Sequence, residues 1–381
     1  MIPLAVPNLS GNERQYLNHC IDTTFVSSVG EYVTKFEENI AKECDAKFAV
    51  ATSSGTTAIH LALLAVGVKP GDLVIIPTFT FIATANAVAH CGAEPWLCDI
   101  DRDSWTLDVK QLESELENET NIISENVIHK KTGKRIAAIM PVYTLGTIAD
   151  MDIIQRIGKK YHLPIVADAA AALGATYQNK PIASLADLTT FSFNGNKTIT
   201  SGGGGMVVGN DEKLLSYIRH ISTTARVSVE YDHDVVGYNY RMTNIQAAVG
   251  CAQLEQLEQF VERKREIREF YRHHFSDIDG IDMFPNPAWG NSACWFSGIV
   301  LQEEGALTVQ NACKFLRENG IEGRSYWKPI HLQKPYENCP QAKNLCVADK
   351  LWNRILTLPC STNITDEELE TVVIEVKKML K

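Results

Sequence analysis

At 381 residues the chain exceeds the usual size of one hydrophobic core, so two domains are expected. A composition of 45% hydrophobic and 22% charged residues excludes a disordered chain. The net charge of −10, without any basic block, argues against nucleic acid as the main partner, although a small site can still be locally positive.

In chain order, the Pro/Gly-punctuated start carries a short helix pattern near Glu13 to Ile21, and Glu31 to Glu43 reads as an amphipathic helix. The first residues show no basic region followed by an apolar core, so no signal peptide is expected. Phe48 to Ser54 reads as a strand and its exit, and Thr56 to Val66 as an apolar helix opening at Ser53-Ser54-Gly55. Strand-like runs follow at Leu73–Ile76, Pro95–Cys98, Ala137–Val142, Ile165–Ala167, Leu188–Phe193 and Met206–Val208, with helical stretches such as Asp152–Tyr161 between them. This alternation predicts a doubly wound α/β domain with a mostly parallel sheet.

Near residue 245 the pattern changes. Ile245 to Phe275 reads as one or two long helices, and Cys294–Leu301, Val309–Glu318 and Asp366–Lys381 as elements of a smaller α+β domain. The expected division is residues 1–248 and 249–381. No apolar stretch approaches membrane-spanning length, so no membrane insertion is expected. The ten cysteines contain no CxxC pair and fit no zinc spacing. They read as reduced packing residues of a cytoplasmic protein without a metal site.

One lysine stands out. Lys197 lies in Phe191-Ser-Phe-Asn-Gly-Asn-Lys-Thr-Ile-Thr200, between two strands headed for a core, where an ammonium is costly to bury. Asp168 ends the apolar strand upstream, at the sheet edge where such folds bind ligands. Ser53-Ser-Gly-Thr-Thr57 lies where a strand hands over to a helix, a ready anion site or an ordinary N-cap. Gly202 to Gly205 permits a tight turn, and Phe79 and Phe81 follow another strand. A lysine, an acid, an anion site and an aromatic suggest pyridoxal 5′-phosphate (PLP), which needs a Schiff-base lysine and an acid at its pyridine nitrogen.

The chain resembles the DegT/DnrJ/EryC1/StrS family of PLP-dependent sugar aminotransferases over essentially its whole length. The carrying segments are Val26–Glu37, Ser54–Leu63, Pro77–Asn86, Phe191–Thr200, Gly237–Ala248 and Trp327–Tyr336. The last two look closest to the LegC/PglE-like branch, which aminates C4 of UDP-linked 4-keto-6-deoxy-N-acetylhexosamines. The resemblance implies a type I aminotransferase fold and a homodimer with shared active sites. It implies that Lys197 forms the Schiff base, Asp168 holds the pyridine nitrogen and Phe81 stacks on the ring. Thr56, Thr57 and Ser192 would hold the phosphate, and Asn239 would reach it from the neighbouring subunit. Trp327, Lys328 and His331 would lie near the nucleotide sugar, with glutamate as amino donor. The alternatives are a GDP- or dTDP-linked keto sugar, or a non-catalytic PLP-binding protein. The chain departs from the family pattern at Ala171, where Gln, His or Glu is usual, and at Tyr143-Thr-Leu-Gly146 in place of His-Leu-Tyr-Gly.

Overall fold

The computed structural model describes residues 1–302 and 307–381. Seven strands build the large sheet: β1 (Phe48–Thr52), β2 (Leu73–Pro77), β3 (Glu94–Cys98), β4 (Ile136–Ile139), β5 (Val166–Asp168), β6 (Leu188–Ser192) and β7 (Gly205–Gly209). β2 pairs in parallel with β3 and β4, β5 in parallel with β6, and β7 lies antiparallel between β6 and β1. Parallel bridges Ile139–Ile165 and Val142–Asp168 join the halves, giving the order β3-β2-β4-β5-β6-β7-β1. Six strands therefore run one way and β7 runs against them. The sheet is mostly parallel, as expected.

The strands are apolar on both faces, as a sheet covered on both sides demands. Helices α1 (Glu13–Asp22), α2 (Glu31–Glu43), α3 (Gly55–Ala65), α4 (Ile82–His90), α5 (Met151–Tyr161), α6 (Glu212–Ser222) and α7 (Asn244–Leu254) connect and cover them. α3, α4 and α6 share one core with Val50, Val74, Ile76, Ala138 and Val207. α2, α5 and α7 share the other with Ala51, Ile75, Ile139 and Val208.

Of the one or two helices expected over 245–275, the structure has two, α7 and the long α8 (Leu257–Phe275), parted at Glu255-Gln256. α8 lies across two cores. Its Leu257, Phe260 and Val261 pack with the large sheet. Its Ile267, Tyr271 and Phe275 pack with a four-stranded sheet of β8 (Ile281–Met283), β9 (Ser297–Leu301), β10 (Arg324–Ser325) and β11 (Ile355–Leu358). Helices α9 (Val309–Glu318) and α10 (Asp366–Met379) complete that smaller body, and Leu4 from the chain start packs into it. Among the described residues no helix is long and apolar enough to cross a membrane.

Candidate active site

The C-terminal ends of the parallel strands converge on one cavity of about 560 Å³. Asp168 ends β5 and Ser192 ends β6, while Lys197 follows on the loop toward β7. Ser54, Gly55 and Thr56 arrive after β1, and Thr80, Phe81 and Thr84 after β2. Arg324, Ser325, Tyr326 and Trp327, around β10, close the other side.

The start of α3 is built to take an anion. Ser54 is the N-cap and forms a reciprocal capping box with Thr57. The Thr57 amide donates to Ser54 Oγ (3.1 Å) and the Ser54 amide to Thr57 Oγ1 (3.0 Å). The first-turn amides between them, on Gly55 and Thr56, are those the helix itself leaves over. Gly205 makes the close packing feasible, since a Cβ there would lie 2.4 Å from the Ser54 carbonyl oxygen. Gly204, at φ +124°, turns the chain beside it.

Asp168 is almost fully buried. Thr84 Oγ1 donates to its Oδ2 at 2.7 Å, and the Ala170 amide to its Oδ1 at 3.1 Å. Burial pushes its pKa up, against those two hydrogen bonds and the charge of Lys197. Thr80 Oγ1 lies 2.8 Å from Thr84 Oγ1 and steadies the donor. Lys197 behaves in the opposite sense, because desolvation lowers its pKa to about 7 although Asp168 resists the fall. Among the described residues the two charges form no direct ion pair. They face each other across the cavity.

The structure gathers Thr56, Phe81, Asp168, Ser192, Lys197 and Trp327 around this single space. Phe81 is the half-exposed N-cap of α4, and Trp327 packs against it with ring centroids 5.7 Å apart. Four expected residues do not line the cavity. The Thr57 hydroxyl is taken up by the capping box. His331 is held at both ring nitrogens, by Thr78 Oγ1 at 2.6 Å and Asp349 Oδ1 at 2.9 Å. Lys328 is exposed, and Asn239 sits exposed in a loop bridged to Thr223.

Two important residues escaped sequence reasoning. Thr84 lies one helical turn after Thr80, a spacing that was a usable signal. Trp295 precedes a buried strand, and from sequence it reads only as core. Yet it places its ring centroid 3.5 Å from Lys197 Nζ.

A cavity that joins a buried carboxylate, an easily neutralised lysine and an anion-ready helix start fits PLP well. The carboxylate keeps lone pairs for a protonated ring nitrogen, and the helix start is suited to a phosphate.

Comparison with known proteins agrees. Residues 7–377 match the model of the DegT/DnrJ/EryC1/StrS aminotransferase family. GDP-perosamine synthase of Caulobacter vibrioides is 38% identical, over 100% of this chain and 98% of its own. UDP-4-amino-4,6-dideoxy-N-acetyl-beta-L-altrosamine transaminase of Campylobacter jejuni is 32% identical, over 92% of each chain. Spr1654 of Streptococcus pneumoniae, solved in its PLP form, is 25% identical with a TM-score of 0.88, covering 100% of this chain and 98% of its own. The chain therefore belongs to the DegT/DnrJ/EryC1/StrS aminotransferase family, and it is a PLP-dependent sugar aminotransferase with that family's fold.

Proposed function

We propose that the chain moves an amino group from glutamate to C4 of a nucleotide-linked 4-keto-6-deoxy sugar. The observation that carries this reading is the shared cavity of Asp168, Lys197 and the start of α3. PLP, when bound, supplies the electron sink for chemistry at the amine-bearing carbon. Asp168 would hold the ring nitrogen, kept in place by Thr84 and the Ala170 amide. The Gly55 and Thr56 amides, with the Thr56 and Ser192 hydroxyls, would hold the phosphate. Phe81 would lie on the ring face. Lys197 Nζ, neutral at an accessible pH, would take and return the proton at the substrate's amine-bearing carbon.

A second copy of the chain has a role in this reading. The loop of Asn239 exposes Val229, Tyr231 and Val236, the last at 82%. Such apolar exposure favours covering by a partner. In a homodimer Asn239 would then reach the neighbouring phosphate site.

The relatives support one nucleotide over the others. GDP-perosamine synthases of three organisms, at 35–38% identity, favour a GDP-linked sugar. The Campylobacter relative keeps the UDP-linked N-acetylated sugar, the first expectation from the Gly237–Ala248 and Trp327–Tyr336 segments, as the second reading.

The test has two stages. Glutamate should bleach the yellow absorbance of the PLP-loaded protein, and Lys197→Ala should bleach far more slowly. A yellow protein indifferent to glutamate would overturn the enzyme reading in favour of a non-catalytic PLP-binding role. The glutamate-treated protein is then offered GDP-, UDP- and dTDP-linked 4-keto sugars, and return of the colour with the UDP sugar alone would reverse the order of the two readings.

A further inference from the structure

Trp295 comes from the smaller body and reaches into the site of the larger one. Four features fix it. Its amide donates to Leu145 O at 3.1 Å. Its carbonyl accepts from Lys264 Nζ at 3.0 Å. Its Nε1–H donates to Asn196 O at 2.6 Å. Before it, Cys294 adopts φ +50°, a left-handed backbone that a non-glycine residue keeps only when its surroundings enforce it. The outcome of this arrangement is the face-on approach of the indole to Lys197 Nζ, at 3.5 Å from the ring centroid.

We propose that Trp295 is the positioning residue of Lys197: its indole face holds the free amine in the cavity, and its N–H anchors the loop at Asn196 that presents the lysine. This rests on the reading of Lys197 as the reacting lysine. The two contacts act on different things. The ring face stabilises the ammonium over the neutral amine, because the π-system is negative above its plane. It thus opposes desolvation and keeps the amine able to hold a proton. The Nε1–H bond acts on the backbone and fixes where the amine can reach. Lys197 has few other neighbours of this kind. Asp168 faces it across the cavity, Arg324 lies on the rim, and Tyr143 and Tyr326 are the titratable groups in the walls. The Tyr143 and Tyr326 hydroxyls are buried.

The proposal is tested on the full-length chain with two variants. Trp295→Leu keeps an apolar neighbour and removes the π face. In protein stripped of PLP, the pH dependence of Lys197 reductive methylation, read by peptide mass spectrometry, reports the amine directly. Its midpoint should fall by about half a unit to one unit in Trp295→Leu. Trp295→Phe keeps a ring and removes the N–H. It should hold the midpoint within about 0.3 unit while the amides of residues 196–198 exchange several-fold faster in the PLP-loaded protein. A role in packing alone would lower thermal stability and move neither quantity. An unshifted midpoint in Trp295→Leu overturns the proposal. Should that variant not fold, unchanged exchange in Trp295→Phe overturns it. Either failure leaves the glutamate response of the unaltered chain intact, whereas failure of the aminotransferase reading shows as the absence of that response.

Discussion

Two lysines lie close to Trp295, and they are treated in opposite ways. Lys264, on α8, is 4% exposed and donates to two carbonyls, Trp295 O at 3.0 Å and Cys360 O at 2.8 Å. Lys197, on the loop after β6, has an indole face for its nearest partner and a carboxylate across a cavity. The first amine is satisfied by oxygens, so its proton has a structural use. The second is desolvated and, among the described residues, has no acceptor to match, so its proton is easily given up. Burial alone does not mark a reactive lysine. What marks it is burial beside a space, with the hydrogen-bonding capacity left unspent.

This contrast can be broken experimentally. Lys197→Ala should lower the glutamate half-reaction by about 10²–10⁴-fold through lost proton transfer alone, measured by rapid-mixing absorbance. Lys264→Met should leave the buried Cys360 carbonyl unpaired and Trp295 O with only the weak Cys360 thiol donor, and cost about 2–5 kcal/mol in denaturant unfolding. Lys197→Met should unfold no more easily than the parent, and equal losses from both variants would erase the distinction. A smaller effect is expected of Thr84→Val, which removes a donor from the Asp168 carboxylate. PLP affinity should fall about tenfold, and the acid limb of the rate profile should move to higher pH, because that hydrogen bond holds the Asp168 pKa down. A further effect concerns pH and stability. The Lys197 pKa falls from 10.5 in the unfolded chain to about 7 in the folded one. Between those values the unfolded chain binds more protons, so stability rises with pH across that window. Lys197→Met should lack that rise. Its advantage over the parent should be largest below pH 7 and fade toward pH 10.5, as followed by chemical denaturation at several pH values.

Much of the scaffold was legible in the sequence because its signals are local. Apolar runs and caps mark β1 to β7, and the amphipathic period gives α2 as Glu31–Glu43, as observed. Asp168 and Lys197 could be singled out because each is a charge at the end of, or between, apolar strands. What escaped depends on long-range contact. No local pattern tells that Trp295 touches a residue 98 positions earlier (295 − 197). Thr57 was expected at the phosphate through its hydroxyl, but helix capping is a nearer use for the same group. His331 was expected near the sugar, and both of its nitrogens have partners from other elements. The antiparallel sense of β7 was equally invisible, since strand direction depends on the path of the loop carrying Lys197 and not on the strand's composition.

Helix α8 gives the arrangement a mechanical meaning. It is an unbroken rod from Leu257 to Phe275, clamped in one core at Val261 and in the other from Ile267 onward. Lys264 sits between the clamps and pins the segments of Trp295 and Cys360 to the rod. Swinging the smaller body away would mean bending a continuous helix whose two ends are packed in different cores. The geometry of indole and amine is therefore built in with the strut.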